Sequence, residues 1–232
     1  MTMKLQAVSN RKLYLQIADQ IREQIADGTA RQGDQLPSER ELASSLGVSR
    51  PTVREALIAL EVAGLIDVRV GVGAFVSAPN QPVNSLPETG HSPLEVMAVR
   101  RLLEPAAAAS AADNIDEAGK ARLVAIAKQM RAETKSGTWS PENDRALHLT
   151  VAEGSGNGLL RELLDQLWNS RSDDVDERFH RHLADMESVR QHIMADHDRI
   201  VKAIVAGDRL AARDAMDAHL AFVENAMLTI WD

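Results

Sequence analysis

The sequence predicts a mainly α-helical protein in which an N-terminal winged helix-turn-helix precedes an all-helical C-terminal part. Residues 11–77 follow the order helix, short helix, tight turn, helix and hairpin. From Pro93 onward every segment carries helical rather than strand periodicity. Aromatic residues make up only 3% of the chain, so small aliphatic side chains must fill the interior, which favours packed helices.

The first helix is predicted from apolar residues that recur every four positions between residues 13 and 26. This spacing places them on one helical face, and Gly28 ends the helix. The four residues are Leu13, Ile17, Ile21 and Ile25.

Two capping signals predict the next helices. Ser38 is followed three residues later by Glu41, which is a capping box, so a short helix begins at about residue 38 and ends at Gly47. Ser49 caps the following helix, which runs to about residue 63. Pro51 lies in its first turn, where a missing N–H does no harm.

A hairpin and a linker complete the N-terminal part. Residues 65–70 form a short β-branched segment, Gly71-Val72-Gly73 turns, and Ala74-Phe75-Val76 follows as a return strand. Residues 79–92 contain three prolines and few apolar anchors, as is typical of a linker. The predicted organisation is a winged helix-turn-helix over residues 1–78, a linker over 79–92 and an all-helical domain over 93–232. Helices of that domain are predicted at about 93–112, 116–135, 141–153, 157–170, 174–206 with a break near 187, and 208–230.

Charge and composition exclude several classes of protein. The net charge is −8, but residues 1–78 carry nine Lys/Arg and nine Asp/Glu, so all the excess acid lies in the second part. A neutral N-terminal part can still bind phosphates if its cations share one face. The chain has no cysteine, which excludes disulfides and Cys-based zinc sites. It has neither an apolar run long enough to span a membrane nor a signal-peptide core at its start, so we expect a cytoplasmic protein with no membrane partner.

Arginines cluster where a helix-turn-helix meets DNA. The motif inserts the start of its second helix into the major groove. Arg50 and Arg54 lie four residues apart there, and each can hold a guanine edge or a phosphate with two bonds. Ser49 and Thr52 can donate to phosphates, and Arg40 on the preceding helix is placed to reach the backbone. The alternative is that these are ordinary surface charges.

A family resemblance supports the DNA-binding interpretation. The GntR family of bacterial regulators resembles residues 11–77 through LPSERELASSLGVSRPTVREALIALEVAGLI and then VGVGAFV. The resemblance implies that the DNA-contacting residues are Arg40, Arg50 and Arg54, with Ser49 and Thr52 beside them and Gly71 at the wing tip.

The wing departs from the family pattern. Family members often carry a histidine or a basic residue at the wing tip, whereas this chain has Val70 and Val72. Arg69 is close enough in sequence to substitute for that basic residue. We therefore include Arg69 among the candidate DNA contacts.

A candidate metal site lies in the C-terminal part. Asp144 and His148 are four residues apart on one predicted helix, so both side chains point the same way and can chelate one ion. His197 and His219 from other helices would complete a set of three imidazoles and one carboxylate, which suits zinc, nickel or manganese. The alternative is that each is an ordinary surface or core histidine, the assignment given to His91, His180, His182 and His192.

A second resemblance supports the metal site. The segments VRRLLEPAAAASAA, DRALHLTVAEGSGNGLL, DHDRIVKAIVAGD and AMDAHL are similar to the FCD domain of the FadR branch, an antiparallel bundle of six or seven helices. That domain holds a divalent metal in a central cavity, and the resemblance places the ligands at Asp144, His148, His197 and His219. It also places a carboxylate-binding arginine at Arg100, for which the alternative is a helix-surface ion pair with Glu104.

The expected effector is an organic acid. The segments RKLYLQIADQI, LEVAGLIDVRVGVGAFVSAPNQP and LWNSRS are similar to hexuronate regulators of this family, and Arg171 in the last segment is a second candidate effector contact. The resemblance implies a homodimeric repressor on a near-palindromic double-stranded DNA operator, relieved by a hexuronate or aldarate. The alternatives are another organic acid, a C-terminal domain that serves only dimerisation, and a metal hydrolase or isomerase.

Overall fold

The computed structural model describes residues 12–69, 72–77, 93–169 and 187–229, and most of these residues are helical. The chain divides into two units, Met1–Gly90 and His91–Asp232. Several predicted features lie outside the described residues: Gly71, Arg171, His91, His180, His182, the linker over 79–92 and the part of the fifth predicted C-terminal helix before residue 187.

The first unit contains three helices and a two-stranded sheet in the predicted order. The elements are α1 (Leu13–Ala26), α2 (Glu39–Leu46), α3 (Arg50–Val62), β1 (Ile66–Arg69) and β2 (Gly73–Val76). Helix α1 buries Ile17 and Ile21 of the apolar face, whereas Leu13, in its first turn, is 50% exposed. Tyr14 and Ala18 are buried as well, which rotates the buried face away from Leu13.

The capping residues act as the sequence predicts. The Ser38 hydroxyl accepts a hydrogen bond from the Glu41 backbone N–H, and the Glu41 carboxylate accepts one from the Ser38 N–H at 2.9 Å. Gly47 ends α2 in a left-handed conformation. Ser49 caps α3 by accepting from the Thr52 N–H at 3.3 Å.

The wing has one contact that the sequence did not indicate. Strands β1 and β2 pair antiparallel, with Ile66 opposite Val76. The segment 33–37, between α1 and α2, also pairs along β2, where Gln35 bridges Phe75. Gly73 adopts φ +130°, and a Cβ there would lie 2.7 Å from the Gln35 side-chain nitrogen. Only glycine fits this position without displacing the glutamine.

The second unit is all-helical within the residues that are described. Its helices are α4 (Pro93–Asn114), α5 (Glu117–Lys135), α6 (Pro141–Gly154), α7 (Gly158–Asn169), α8 (Glu187–Val205) and α9 (Arg209–Thr229). Helices α4 and α9 run antiparallel, because Asp113 pairs with Arg209 at one end and Arg101 pairs with Glu224 at 2.6 Å toward the other. No helix among the described residues is long and apolar enough to cross a membrane.

The interior of the second unit is built from small and aliphatic side chains. Ala107, Ala108 and Ala111 on α4 are at most 1% exposed, so α4 can approach its neighbours closely. Leu147 on α6 and Ile200 on α8 are fully buried as well. Polar side chains from α4, α6, α8 and α9 are also buried in this interior, and they form the second candidate site.

Candidate DNA interface and candidate metal centre

The start of α3 presents the predicted DNA-reading residues at the surface. The Arg50 side chain is 56% exposed, and Arg40 on α2 is exposed. The hydroxyls of Ser49 and Thr52 lie 2.7 Å apart and share one hydrogen bond. Arg50 and Arg40 therefore offer accessible guanidinium groups, while the two hydroxyls also support the helix cap.

Glu39, which the sequence did not single out, links the two helices of the motif. Its buried carboxylate accepts hydrogen bonds from Arg54 Nε at 2.6 Å and from Arg54 Nη2 at 3.0 Å. Arg50 Nη2 donates to the same carboxylate at 3.3 Å. The Arg54 side chain is only 14% exposed, so it is far less accessible than Arg50. The fork of bonds fixes the guanidinium plane of Arg54 and ties α2 to α3.

Arg69 lies on the wing, at the end of β1. Its Nε is 3.3 Å from Asp67 Oδ2, and its Cζ lies 4.3 Å from the centre of the Phe75 ring. The side chain is 59% exposed, and Val72 across the tip is 59% exposed as well. Contact between this wing and DNA stays a prediction.

Three histidines from three helices meet inside the second unit. His148 on α6, His197 on α8 and His219 on α9 each offer a nitrogen within 4.8 Å of the others, and none is more than 2% exposed. Asp144 Oδ1 lies 3.3 Å from His197 Nε2 and 3.8 Å from His148 Nε2. The structure thus brings together all four residues that were predicted as metal ligands.

The hydrogen bonding of this cluster fits a metal. His148 Nε2 and both nitrogens of His197 are buried and have no hydrogen-bond partner among the described residues. Buried polar atoms are normally satisfied, so such a concentration needs an explanation. Three imidazole nitrogens and a carboxylate oxygen converging on one point form a donor set for a divalent transition metal.

The protonation of the histidines also suits ligation. Burial lowers the pKa of His197 well below its ordinary value, and the neighbouring His219 lowers it further. Burial likewise lowers the pKa of His219. Both imidazoles are therefore neutral near pH 7, the state in which a nitrogen lone pair is available to a metal.

Two buried carboxylates each face a ring nitrogen of a candidate ligand histidine. The sequence analysis did not predict this role for either of them. Glu104 Oε2 forms a short hydrogen bond with His148 Nδ1. Asp196 Oδ2 lies 3.6 Å from His219 Nδ1. Carboxylates in this position orient a ligating imidazole and increase its basicity. Each carboxylate lies on a different helix from the imidazole that it faces, so no spacing in the sequence links Glu104 with His148 or Asp196 with His219.

Arg100 is buried next to this cluster and not at the surface. It is 2% exposed, its Nε donates to Glu104 Oε1 at 2.6 Å, and its Cζ lies 4.4 Å from the centre of a Trp168 ring. The ion pair with Glu104 that the sequence offered as an alternative is present, but it lies in the interior. Burial alone would raise the pKa of the Glu104 carboxyl, yet Arg100 and His148 together hold it well below its ordinary range. Effector binding by Arg100 stays a prediction.

The winged helix-turn-helix with its exposed arginines defines a class of protein, the DNA-binding proteins, and the second unit adds a buried candidate metal centre. Residues 13–76 match the gntR family of bacterial regulatory proteins, and residues 95–222 match the FCD domain. The chain belongs to the GntR family of transcription regulators and carries an FCD domain. Proteins of this family are transcription regulators, so the enzyme alternative is set aside.

Two relatives are similar over nearly the whole chain. The Exu regulon transcriptional regulator of Escherichia coli K12 is 34% identical over 231 residues, which cover 96% of this chain and 86% of that protein. The Uxu operon transcriptional regulator of the same organism is 32% identical over 232 residues, covering 96% and 89%. The solved structure of E. coli McbR/YncC superimposes with a TM-score of 0.52 at 21% identity, covering 95% of this chain and 99% of that one, which shows the fold alone.

Proposed function

We propose that this protein is a dimeric repressor of sugar-acid catabolism genes, which releases a near-palindromic operator when a carboxylate effector binds at the metal site. The observation that carries the proposal is the convergence of His148, His197, His219 and Asp144 within a buried centre next to Arg100. The names of the two relatives, regulators of the Exu regulon and the Uxu operon, support hexuronates or aldarates as the effector class.

The proposed centre holds zinc, nickel or manganese through three imidazoles and one carboxylate. Such a metal, when bound, acts as a Lewis acid that accepts a carboxylate or hydroxyl oxygen at its open positions. Glu104 bonds to His148 and Asp196 lies beside His219, so both carboxylates are placed to orient an imidazole toward the metal. Arg100 lies beside the centre with its charge balanced by Glu104, so the attraction for an anionic ligand would come from the metal.

The ligating residues connect the centre to the long helices of the domain. His197 lies on α8 and His219 on α9, and α9 packs along α4, the first helix of the domain. An effector shifts the equilibrium only by its difference in affinity for the two states. The proposal therefore requires an effector that binds the helix arrangement of the DNA-free state more tightly.

A thermal-shift screen of sugar acids and dicarboxylates, with and without a chelator, tests the effector and the metal. We expect one hexuronate or aldarate to raise the melting temperature, and both the chelator and His197→Ala to abolish that rise. Lys202→Ala is the matched control, because Lys202 is an exposed residue of the same helix α8 and lies outside the triad. A stabilisation that survives the chelator would contradict effector binding through the metal.

Fluorescence anisotropy with DNA from upstream of the regulated genes tests whether the protein binds a near-palindromic operator. Recognition helices of a dimer lie roughly 34 Å apart, so we expect tight binding to a near-palindrome and weaker binding to one half-site. Arg50→Ala should weaken specific binding by about 10- to 100-fold, the effect of losing one bidentate base contact. Arg22→Ala on α1, whose side chain is 42% exposed, is the control. Unchanged operator binding by the Arg50 variant would contradict the assignment of the recognition helix.

The same measurements separate the alternatives. If lactate, gluconate or a dicarboxylate raises the melting temperature in a metal-dependent way, the effector is that acid and not a sugar acid. The proposed mechanism, effector binding through the metal, then remains. If the protein binds metal but no acid alters either its stability or its DNA affinity, the cluster is structural and the C-terminal domain serves only dimerisation.

A further inference from the structure

A second indole ring packs against the candidate metal centre, on the segment between α5 and α6. Trp139 stacks on His197, with ring centres 6.3 Å apart and ring planes inclined by 23°. Trp168, already described beside Arg100, has its ring centre 5.4 Å from that of His148. Two of the three tryptophans, in a chain with only 3% aromatic residues, therefore pack against candidate ligand histidines.

The indole N–H of Trp139 is a buried donor that lacks an acceptor. Its Nε1 forms no hydrogen bond with any of the residues that the structure describes. A buried tryptophan N–H normally finds an acceptor, because an unpaired donor has lost its bond to water and gained nothing in return. A metal bound by His197 satisfies an imidazole nitrogen, but it cannot satisfy the indole, since an indole N–H only donates. The missing partner of Trp139 is therefore an acceptor and not the metal.

The segment that carries Trp139 is held in place on both sides. Before it, the backbone N–H and the hydroxyl of Thr138 donate to the carbonyl oxygen of Glu133, at 2.9 Å and 3.1 Å. After it, Ser140 caps α6, and Asn143 Nδ2 donates to the Glu133 carboxylate at 2.7 Å. A ligand that accepts from the indole N–H would not have to order this segment, so little of the binding energy is lost.

The chemistry of the proposed effector supplies the missing acceptor. In the proposed function, the effector carboxylate binds the metal. The remaining groups of a hexuronate or aldarate include several hydroxyls, whose oxygens accept hydrogen bonds. Acetate carries a carboxylate and no hydroxyl, so it can reach the metal but would leave the indole N–H unpaired.

We propose that Trp139 determines specificity, and that its indole N–H donates a hydrogen bond to a hydroxyl oxygen of the sugar acid bound at the metal. This inference rests on the proposed function and adds which side chain distinguishes a polyhydroxy acid from a simple carboxylate. The metal binds the carboxylate that all organic acids share, whereas Trp139 recognises the hydroxyl. A site that bonds to a ligand hydroxyl rejects the analogue without it, because its own buried donor stays unpaired.

Isothermal titration calorimetry of the full chain, loaded in turn with zinc, nickel and manganese, tests the contact. The probes are D-galacturonate, D-glucuronate and galactarate, with acetate as the acid that lacks a hydroxyl. Trp139→Phe keeps an aromatic ring beside His197 but removes the N–H. We expect this variant to raise the Kd of the sugar acid by about 5- to 10-fold, the effect of losing one neutral hydrogen bond, and to leave the affinities for acetate and for the metal unchanged.

The matched control is Lys135→Ala, at an exposed position at the end of α5, which should bind the sugar acid as the natural chain does. The outcomes separate this inference from the proposed function. If a sugar acid binds the natural chain and the Trp139→Phe variant equally well, the role of Trp139 is wrong and the proposed function stands. If none of the three sugar acids binds the natural chain with any of the three metals, the proposed effector class itself is wrong.

NMR of the indole groups gives a readout in the natural chain that a merely structural tryptophan would not change. The chain has three tryptophans, so the ¹⁵N–¹H spectrum contains three indole signals, and replacing each tryptophan by phenylalanine in turn assigns them. In the zinc-loaded protein, we expect the bound sugar acid to move the Trp139 N–H signal downfield, the direction of a new hydrogen bond, and acetate to leave it in place. A Trp139 signal that a bound sugar acid does not move, or that acetate moves equally, would overturn the proposal.

Discussion

Glu61 is a carboxylate in an unfavourable position near the end of α3. Its Oε1 accepts a hydrogen bond from the Val68 N–H at 3.2 Å, while Oε2 is buried and has no hydrogen-bond partner among the described residues. Burial, with a smaller contribution from Asp67, raises the pKa of Glu61 from 4.5 to about 7. The folded protein therefore prefers Glu61 protonated.

The sign and size of the effect on stability follow from that pKa. Because the folded-state pKa lies above the unfolded one, the folded state retains a proton between pH 4.5 and pH 7 that the unfolded state has released. The free energy of unfolding should therefore fall as pH rises through this window, and stay low above it. A shift from 4.5 to about 7 corresponds to about 3 kcal/mol at most.

Glu61→Gln should remove this decrease in the free energy of unfolding at high pH. The amide oxygen can still accept the Val68 N–H, but the side chain carries no charge at any pH. At pH 8 we expect the variant to be more stable than the natural protein by up to about 3 kcal/mol, and at pH 4.5 we expect the two to be nearly equal.

The full chain is unfolded in urea and monitored by ¹⁹F NMR. A fluorine label in the first unit then reports the free energy of unfolding of that unit. Tyr14 is the only tyrosine and is 3% exposed within α1, so 3-fluorotyrosine labels the winged helix-turn-helix alone. Glu23→Gln on the exposed side of α1 is the control and should show no comparable dependence on pH. A gain for Glu61→Gln that is equal at pH 4.5 and pH 8, or a loss at pH 8, would refute the reasoning.

Three further substitutions test contacts that define the two sites. Glu39→Gln should lower the ratio of operator affinity to non-specific DNA affinity by about 10-fold, because Arg54 loses its charged partner. An anisotropy titration measures this ratio, and tighter specific binding by the variant would contradict the expectation. Glu104→Gln should weaken metal binding by about 10- to 100-fold, because His148 loses its hydrogen-bonded carboxylate. Competition with a chelating dye measures the metal affinity. An unchanged affinity would mean that Glu104 does not support His148 as a metal ligand. Gly73→Ala should destabilise the wing by about 1–3 kcal/mol, seen as a lower urea midpoint, and a neutral effect would show that the backbone can relax.

Local rules in the sequence were sufficient for the order and limits of most elements. The capping box at Ser38 and Glu41, the left-handed Gly47 and the cap at Ser49 each act within four residues, so their geometry does not depend on distant parts of the chain. The same holds for α4, α5, α6 and α7, whose ends differ from the predicted limits by two residues at most. Residue type and spacing, supported by the family resemblance, predicted the four candidate metal ligands, and the structure places them together.

Contacts between distant segments were decided only by the tertiary structure. Glu39 and Arg54 are 15 residues apart, and Glu104 and His148 are 44 residues apart, so no helical or strand period relates the members of either pair. Whether Arg100 is a surface residue or a buried neighbour of the metal centre likewise depends on α7, because Trp168 covers its guanidinium. Sequence determined which side chains each helix carries and where α3 begins, since those follow from capping and period. Packing determined which of these side chains are buried together, since burial and long-range charge depend on elements that approach one another only when the chain has folded.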